Sequence, residues 1–293
     1  MQPGTIKLGV VFPHNEIGVD PIAIRDYAQG AEELGADHMM IYDHVLGADP
    51  ERPGGWDGPY DKDVAFHEPF TLFSYMAAVT SKIVFGTCVL VLPQRQTALV
   101  AKQAAQLAIL SGNRFRMGIG VGWNTVEFEG LGVPFTRRGA RQAEQVELMR
   151  RLWTEDNVAF KGEYHTIDRA SILPRPDRPI PIWFGGGAPA VLRRCARLGD
   201  GWAPVGTPNE QSRKAIATIR EVREAAGLPW EGFGIQAQAQ TRGGDPYRWK
   251  THHDRWHELG CTHLAIVTHY VGNGTKVDAH LAAAERYFEA VRS

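Results

Sequence analysis

Asp43 and His44 stand side by side at the end of an apolar run, His38 to Tyr42. A carboxylate next to an imidazole can hold the polar edge of a bound ring and pass a proton near neutral pH. The competing reading is structural: Asp43 caps the following loop and His44 packs beneath it. A second stretch, Gly185-Gly186-Gly187-Ala188-Pro189, links an apolar run to a helix-forming one. Its glycines let the backbone approach an anion, and Pro189 suits the first turn of a helix whose free N–H groups point back toward it. Tight turns need glycine as well, and the spacing is not the G-x-G-x-x-G of a dinucleotide fingerprint. Gly118-x-Gly120-x-Gly122 reads either as backbone approaching a flat ring or as a strand that bends.

Other chemistry-bearing groups point less sharply. His252, His253 and His257 include an i, i+4 pair that suits zinc, but Arg255 and Glu258 beside them mark a solvated helix face. Arg137, Arg138 and Arg141 open a helix; such runs are mostly solvated, although one arginine there is placed to reach an anionic cofactor tail. There is no Gly-x-Ser-x-Gly elbow, phosphate-binding Walker loop or Cys–His pair, which argues against hydrolase and phosphoryl-transfer chemistry. A formal net charge of -1 gives no reason to expect nucleic acid or an anionic membrane as partner. No apolar run reaches membrane-spanning length, and Met1 to Pro13 lacks a secretory pattern. Three cysteines, Cys88, Cys195 and Cys261, without a C-x-x-C pair, fit reduced thiols in a cytoplasmic protein.

The elements that must position these groups repeat a single unit. Lys82 to Leu92 is β-branched and apolar, as in a parallel strand buried on both faces, and Pro93 ends it. Thr97 to Leu110 has helical spacing and stops at Ser111-Gly112-Asn113, and Arg114 to Ile119 is the next strand. Before this unit come a strand at Ile6–Phe12, a helix at Pro21–Leu34 with Asp20 as N-cap, a strand at His38–Tyr42 and a helix at Glu68–Thr80. After it the chain reads as irregular past Trp123, then as a helix from Arg137 to Trp153 and a small hairpin within Val158–Asp168. Four prolines between Pro174 and Pro181 follow. Strand–helix pairs then resume at Ile182 and run to Val291, among them a helix at Pro189–Leu198 closed by Gly199 and a strand at Gly234–Gln240.

About eight such pairs over 293 residues suit a single (β/α)8 barrel, whose typical length is about 250 residues. Insertions fall after strands two and four and between helix four and strand five. The rival is an open doubly wound sheet; short strands repeating to the end, with no composition shift marking a second domain, favour closure over residues 1–293. In such a barrel the site lies at the C-terminal strand ends. That rule selects Phe12 to His14, Asp43-His44, Cys88 to Leu92, Gly120 to Asn124 and Gly185 to Pro189. It also selects Val205-Gly206, Gln238 to Thr241 and Thr268-His269. The long segment Val45 to Phe66, with Trp56 and Tyr60, is a candidate lid.

Three runs, VLVLPQRQTALVAKQAAQLAILSGNRFRMGIGVGWNTVEFEGLG, RRGARQAEQVELMRRLW and PIPIWFGGGAPAVLRRCARLGDGW, resemble the luciferase-like monooxygenase superfamily. The resemblance is closest to its branch dependent on the deazaflavin F420, from Ile6 to about Trp202 and more loosely beyond. It implies a (β/α)8 barrel carrying a flavin-like ring at its C-terminal face. It further implies that Asp43 contacts the deazaflavin and that His44 is the acid–base residue. A non-proline cis peptide behind the ring is implied at Cys88-Val89, with Val91 as a nearby contact. Gly187, Ala188, Ala190 and Val191, with Gly186 adjacent, correspond to the residues that hold the cofactor phosphate. Gly120 and Gly122, from their own reading as backbone approaching a flat ring, are the further cofactor contacts expected.

The sequence departs from the F420-dependent sugar-phosphate dehydrogenases of this branch. Trp123 stands where they carry a catalytic glutamate and Val126 where they carry an asparagine, while Glu127 fits the more general family glutamate. Trp123, Trp56 and Tyr60, with His14, suggest a more apolar substrate space. The expectation is an F420-dependent oxidoreductase exchanging a hydride with a small organic substrate, with no metal, dimeric by family habit. The alternatives are an FMN-dependent monooxygenase of the same fold, or a non-catalytic flavin or deazaflavin carrier.

Overall fold

The computed structural model describes residues 4–269 and 276–292. In chain order the first half comprises β1 (Lys7–Val11), α1 (Pro21–Glu33), β2 (His38–Ile41), α2 (Pro69–Val79), β3 (Val84–Thr87), β4 (Leu90–Val91), α3 (Thr97–Leu110) and β5 (Phe115–Gly120). Then come α4 (Thr125–Gly130), α5 (Arg138–Thr154), β6 (Val158–Lys161), β7 (Thr166–Ala170), β8 (Ile182–Gly185) and α6 (Pro189–Leu198). The last are β9 (Gly201–Ala203), α7 (Glu210–Ala225), β10 (Gly234–Gln240), α8 (Pro246–Glu258), β11 (His263–Val267) and α9 (Val277–Arg292).

The sheet closes. Parallel pairing runs β1–β2–β3–β5–β8–β9–β10–β11 and returns to β1, where Lys7 to Val11 lie opposite His263 to Val267. β4 continues β3 past an irregularity and stays against β5, with Leu90 opposite Ile119 and Val91 opposite Gly120. The antiparallel pair β6–β7 stands outside the ring, within the insertion that precedes β8. Residues 42–68 and 121–137 form the other two long insertions, both at C-terminal strand ends. No helix among the described residues is long and apolar enough to cross a membrane.

Local chemistry explains the helix starts. The Asp20 side chain accepts from Ile22 N and caps α1, and Pro21 fixes its first turn. Glu68 caps α2 by accepting from Thr71 N. Two expectations are corrected. The single strand over Lys82–Leu92 is broken into β3 and β4 by a non-proline cis peptide at Cys88–Val89. The stretch after Trp123 is not irregular: Asn124 accepts from Val126 N and Glu127 N and starts the short helix α4.

Alternate strand residues divide between two cores. Val10, Met39, Ile41, Phe85, Met117, Ile119, Phe184 and Ile266 belong to the large cluster beneath the helices, while Val11, Met40, Ala265 and Val267 form a small cluster inside the ring. Glycines make room for what the interior holds. A Cβ at Gly9 would meet the His38 carbonyl oxygen at 2.3 Å, one at Gly118 would meet that of Thr87 at 2.0 Å, and one at Gly234 would meet the Trp183 ring at 2.1 Å. Gly118→Ala therefore forces β3 and β5 apart and lowers unfolding free energy by about 1–3 kcal/mol. Urea denaturation measures this, with Gly4→Ala, where nothing lies within 4 Å, as the unchanged control.

Candidate active site

The centre of the C-terminal mouth is a carboxylate from α4. Glu127 is fully buried; its Oε2 lies 3.0 Å from His44 Nδ1, and its Oε1 accepts from Val45 N at 2.6 Å and from Leu46 N at 3.3 Å. Gln94 Nε2 donates to Oε2 at 3.4 Å. Burial alone would raise this carboxyl, but the hydrogen bonds from His44, Val45 and Leu46 outweigh it and hold the group below the ordinary range. An ionised Glu127 fixes the tautomer of His44: Nδ1 carries the proton, so Nε2 is the nitrogen left for chemistry. Nε2 makes no hydrogen bond within 3.5 Å among the described residues, and His44 lines a cavity.

Asp43 sits in a second network. Its Oδ2 accepts from Val91 N at 2.9 Å and its Oδ1 from Arg95 Nη2 at 2.7 Å; Arg95 also donates to Glu68 at 3.1 Å. Burial pushes the Asp43 carboxyl up while the guanidinium pulls it back, so Arg95 is what keeps a carboxylate tenable here. The structural reading of the Asp43-His44 pair holds in part: His44 packs beneath the loop that follows, but the Asp43 carboxylate is taken by Val91 N and Arg95 rather than capping that loop. Asp43 anchors β4 and lines the cavity, and His44 packs under aromatic rings while leaving one nitrogen open.

The cavity measures about 830 Å³ and opens over the ends of β2, β4, β5, β8 and β10. Val89 projects between two strands: a Cβ on Gly120 would lie 2.4 Å from its Cγ2, and one on Gly185 would lie 2.5 Å from its Cγ1. Gly122, at φ +70, similarly admits Val91. The glycines of β5 thus serve the close packing of the β3–β4 break, and that part of the cavity wall is apolar. Cys88, Val89, Val91, Gly120, Gly122 and Gly186 all line the cavity. Gly187, Ala188 and Ala190 lie exposed on its rim, and Val191 is buried beneath Gly186. The backbone N–H groups of Gly187, Ala188 and Ala190 have no backbone acceptor among the described residues, as expected at the start of α6.

Aromatic rings roof His44. Tyr60, Phe66 and Trp123 have centroids 5.3, 4.8 and 5.3 Å from its ring. Tyr60 and Trp123 line the cavity, whereas Trp56 stacks behind Trp123 at 5.7 Å and donates Nε1–H to the Tyr60 carbonyl. His14 does not reach the cavity. It is buried behind the roof, stacked on Phe66 at 4.4 Å, with neither ring nitrogen hydrogen-bonded, and burial pushes it down to about 3. The arginine run is engaged elsewhere: Arg137 pairs with Glu163, Arg138 donates to the Gly122 carbonyl, and Arg141 lies over Tyr164. No metal-ligating group of three or more His, Cys, Asp or Glu occurs among the described residues. His252 does line the cavity together with Arg248, so one face of α8 turns to the mouth.

A family model described as luciferase-like monooxygenase matches residues 1–276. The chain belongs to that family. An uncharacterized protein of Mycobacterium tuberculosis is 40% identical over 205 residues, 68% of this chain and 71% of the relative. An F420-dependent glucose-6-phosphate dehydrogenase of Amycolatopsis mediterranei is 33% identical over 230 residues, 75% of this chain and 64% of that enzyme. Among solved structures, an F420-dependent secondary alcohol dehydrogenase in complex with an F420-acetone adduct superposes with a TM-score of 0.78 at 19% identity, covering 100% of both chains. The monooxygenase RslO1 from Streptomyces bottropensis gives 0.77 at 18%, covering 98% of this chain and 99% of its own. At these identities the two structures show the shared barrel.

Within this luciferase-like barrel, the strand-end rule finds Gln238, whereas Arg95, Gln94 and Arg248 escape sequence reasoning. Arg95 and Gln94 meet partners distant in sequence, and Arg248 lies on a helix that nothing in its own pattern aims at the mouth. Because the Glu127 carboxyl is held low in the folded state, its contribution is present near neutral pH. That contribution is lost as pH falls through the folded value. Glu127→Gln should therefore destabilise the protein near neutral pH, and the gap to the parent chain should narrow as pH falls below the ordinary glutamate value of 4.5. Urea midpoints across that range check it.

Proposed function

We propose that this chain is an F420-dependent oxidoreductase that moves a hydride between the deazaflavin and a small, apolar-bodied organic substrate. The observation that carries the reading is the His44–Glu127 pair, with one imidazole nitrogen left without a protein partner beside a cavity that Val89, Gly120 and Gly185 also line. The residues present fit such a cofactor. An apolar wall suits a fused ring, Asp43 lies at its edge, and the unsatisfied N–H groups at the start of α6 suit an anionic tail. The F420-dependent relatives support the same choice. Bound there, F420 supplies two-electron hydride exchange at its ring carbon.

The protein's share follows from its own groups. Val89, Val91, Gly120 and Gly122 would hold the ring, with Asp43 and Cys88 beside it. Gly186, Gly187, Ala188, Ala190 and Val191 shape the turn that would hold the phosphate. Oxidation of an alcohol removes a hydride from carbon and a proton from oxygen; His44 Nε2 takes the proton, and the resulting imidazolium rests against the Glu127 carboxylate. In the reducing direction the same nitrogen gives the proton back. Tyr60 and Trp123 line the substrate side and Trp56 backs them, excluding water from the proton path.

Titrating the apo-protein with F420 and with FMN, read by tryptophan fluorescence, tests the cofactor. The expected result is tighter binding of F420; tighter binding of FMN replaces this reading with oxygen-using chemistry, and binding of neither removes it. On any substrate turned over in a panel of alcohols and ketones, His44→Ala should keep F420 affinity and lose about 10²–10⁴-fold in kcat. Unchanged turnover would assign the proton to another group.

A further inference from the structure

The barrel has a second cavity at its other end. It measures about 960 Å³ and is lined by strand starts and the loops before them, sharing no residue with the active-site cavity. The Val11, Met40, Ala265 and Val267 cluster lies between the two. In barrels of this kind the N-terminal face ordinarily serves stability, and an apolar plug would do that best. Here the innermost layer is polar instead.

Among the described residues Arg116 is the only charged side chain buried in that wall; Glu32 is half-buried, and Lys7, Lys82, Arg178, Glu33, Asp37 and Asp200 are exposed. A buried guanidinium normally faces a carboxylate, because desolvation is costly without one. Arg116 has none within 4 Å among the described residues. Its Nη2 donates to the Gln236 side-chain oxygen and contacts Met40 Sδ at 3.5 Å, and its charge lies 4.4 Å over the Trp183 ring. Its Nε and Nη1 donate to no protein acceptor within 3.5 Å among the described residues. The nearby acids are taken: Glu32 accepts from Ser81, Lys82 and Ile83 N, Asp37 from Leu8 N, and Asp200 from Ile182 N.

Two imidazoles add to the surplus of donors. His38 is 1% exposed, lines the cavity, and has no hydrogen-bond partner at either ring nitrogen. His263 lies 5.4 Å from it, with Nδ1 against Thr262 Oγ1 at 2.8 Å, and also lines the cavity. Gly9 makes room for the His38 ring, since a Cβ there would lie 2.5 Å from Nε2. A guanidinium fork without a carboxylate, an unpartnered His38 ring and the Nε2 side of His263 are complementary to a small oxyanion, which presents several acceptors in one plane or tetrahedron.

We propose that the N-terminal mouth of the barrel is a second ligand site, which binds a small oxyanion, carboxylate or phosphate, on Arg116, His38 and His263. Burial pushes Arg116 down to about 10, so it stays cationic at neutral pH. Burial, and then Arg116 itself, hold both histidines below the ordinary range. A bound anion offsets the guanidinium and raises both, which gives a signature independent of catalysis.

The test uses the full chain with sodium acetate and sodium phosphate as probes and sodium chloride at matched ionic strength as control. Imidazole NMR signals, assigned with His38→Gln and His263→Gln, are followed together with the thermal midpoint. The expected result is a saturable shift of the His38 and His263 signals by one or both probes, with His44 unmoved and a raised midpoint. Arg116→Met should weaken that binding about ten-fold or more. If Arg116→Met does not fold, the titration of the parent chain decides alone. No saturable shift, an equal response to chloride, a shift confined to other histidines, or equal binding by a folded Arg116→Met overturns the site.

Discussion

One buried carboxylate sets the architecture of the C-terminal mouth. Glu127 receives a side-chain hydrogen bond from His44 and backbone hydrogen bonds from Val45 and Leu46. It thereby ties the first residues after β2 to a helix that lies after β5 in the chain. An unpaired carboxylate at this depth would be intolerable, so the contacts are mutually required. Remove the carboxylate and four donors, His44, Val45, Leu46 and Gln94, lose their acceptor at once, and the imidazole loses the group that sets its tautomer. The roof of Tyr60, Phe66 and Trp123 then has no fixed ring to close upon.

Much of the barrel is legible from local patterns. Helices at Thr97–Leu110 and Pro189–Leu198 and the strand at Gly234–Gln240 have the bounds that spacing and capping residues predict. These segments carry their own punctuation: a proline or polar cap at one end, glycine at or just beyond the other. The short helix α4 carried a signal too, Asn124 three residues before Glu127, a capping arrangement overshadowed by the glycines before it. The cis peptide at Cys88–Val89 was reachable only through family resemblance, since neither residue type announces it.

What local patterns cannot reach is pairing across the ring. Glu127 and His44 are 83 residues apart, Arg95 and Asp43 are 52 apart, and Tyr42 and Gln238, hydrogen-bonded at 2.9 Å, are 196 apart. Which strand faces which follows from closure, and which face points inward follows from register. A single sequence fixes neither. The same limit hid the polar layer around Arg116. Arg114 to Ile119 reads as an ordinary buried strand, and only its register places Arg116 over Trp183.

The stacking of Trp56 on Trp123 joins the two insertions directly to each other, above the bond through Glu127 that already links them. Together they form one cassette seated on the barrel, anchored to it through Asp43, which accepts from Val91 N and Arg95, and through Phe66, which stacks on His14. Divergence of substrate scope along this lineage would then proceed by paired exchange. A loop grafted alone from a relative arrives without its counterpart ring and without the carboxylate its backbone expects, whereas both segments moved together carry their interface with them. The barrel beneath can stay as it is while its mouth is rewritten.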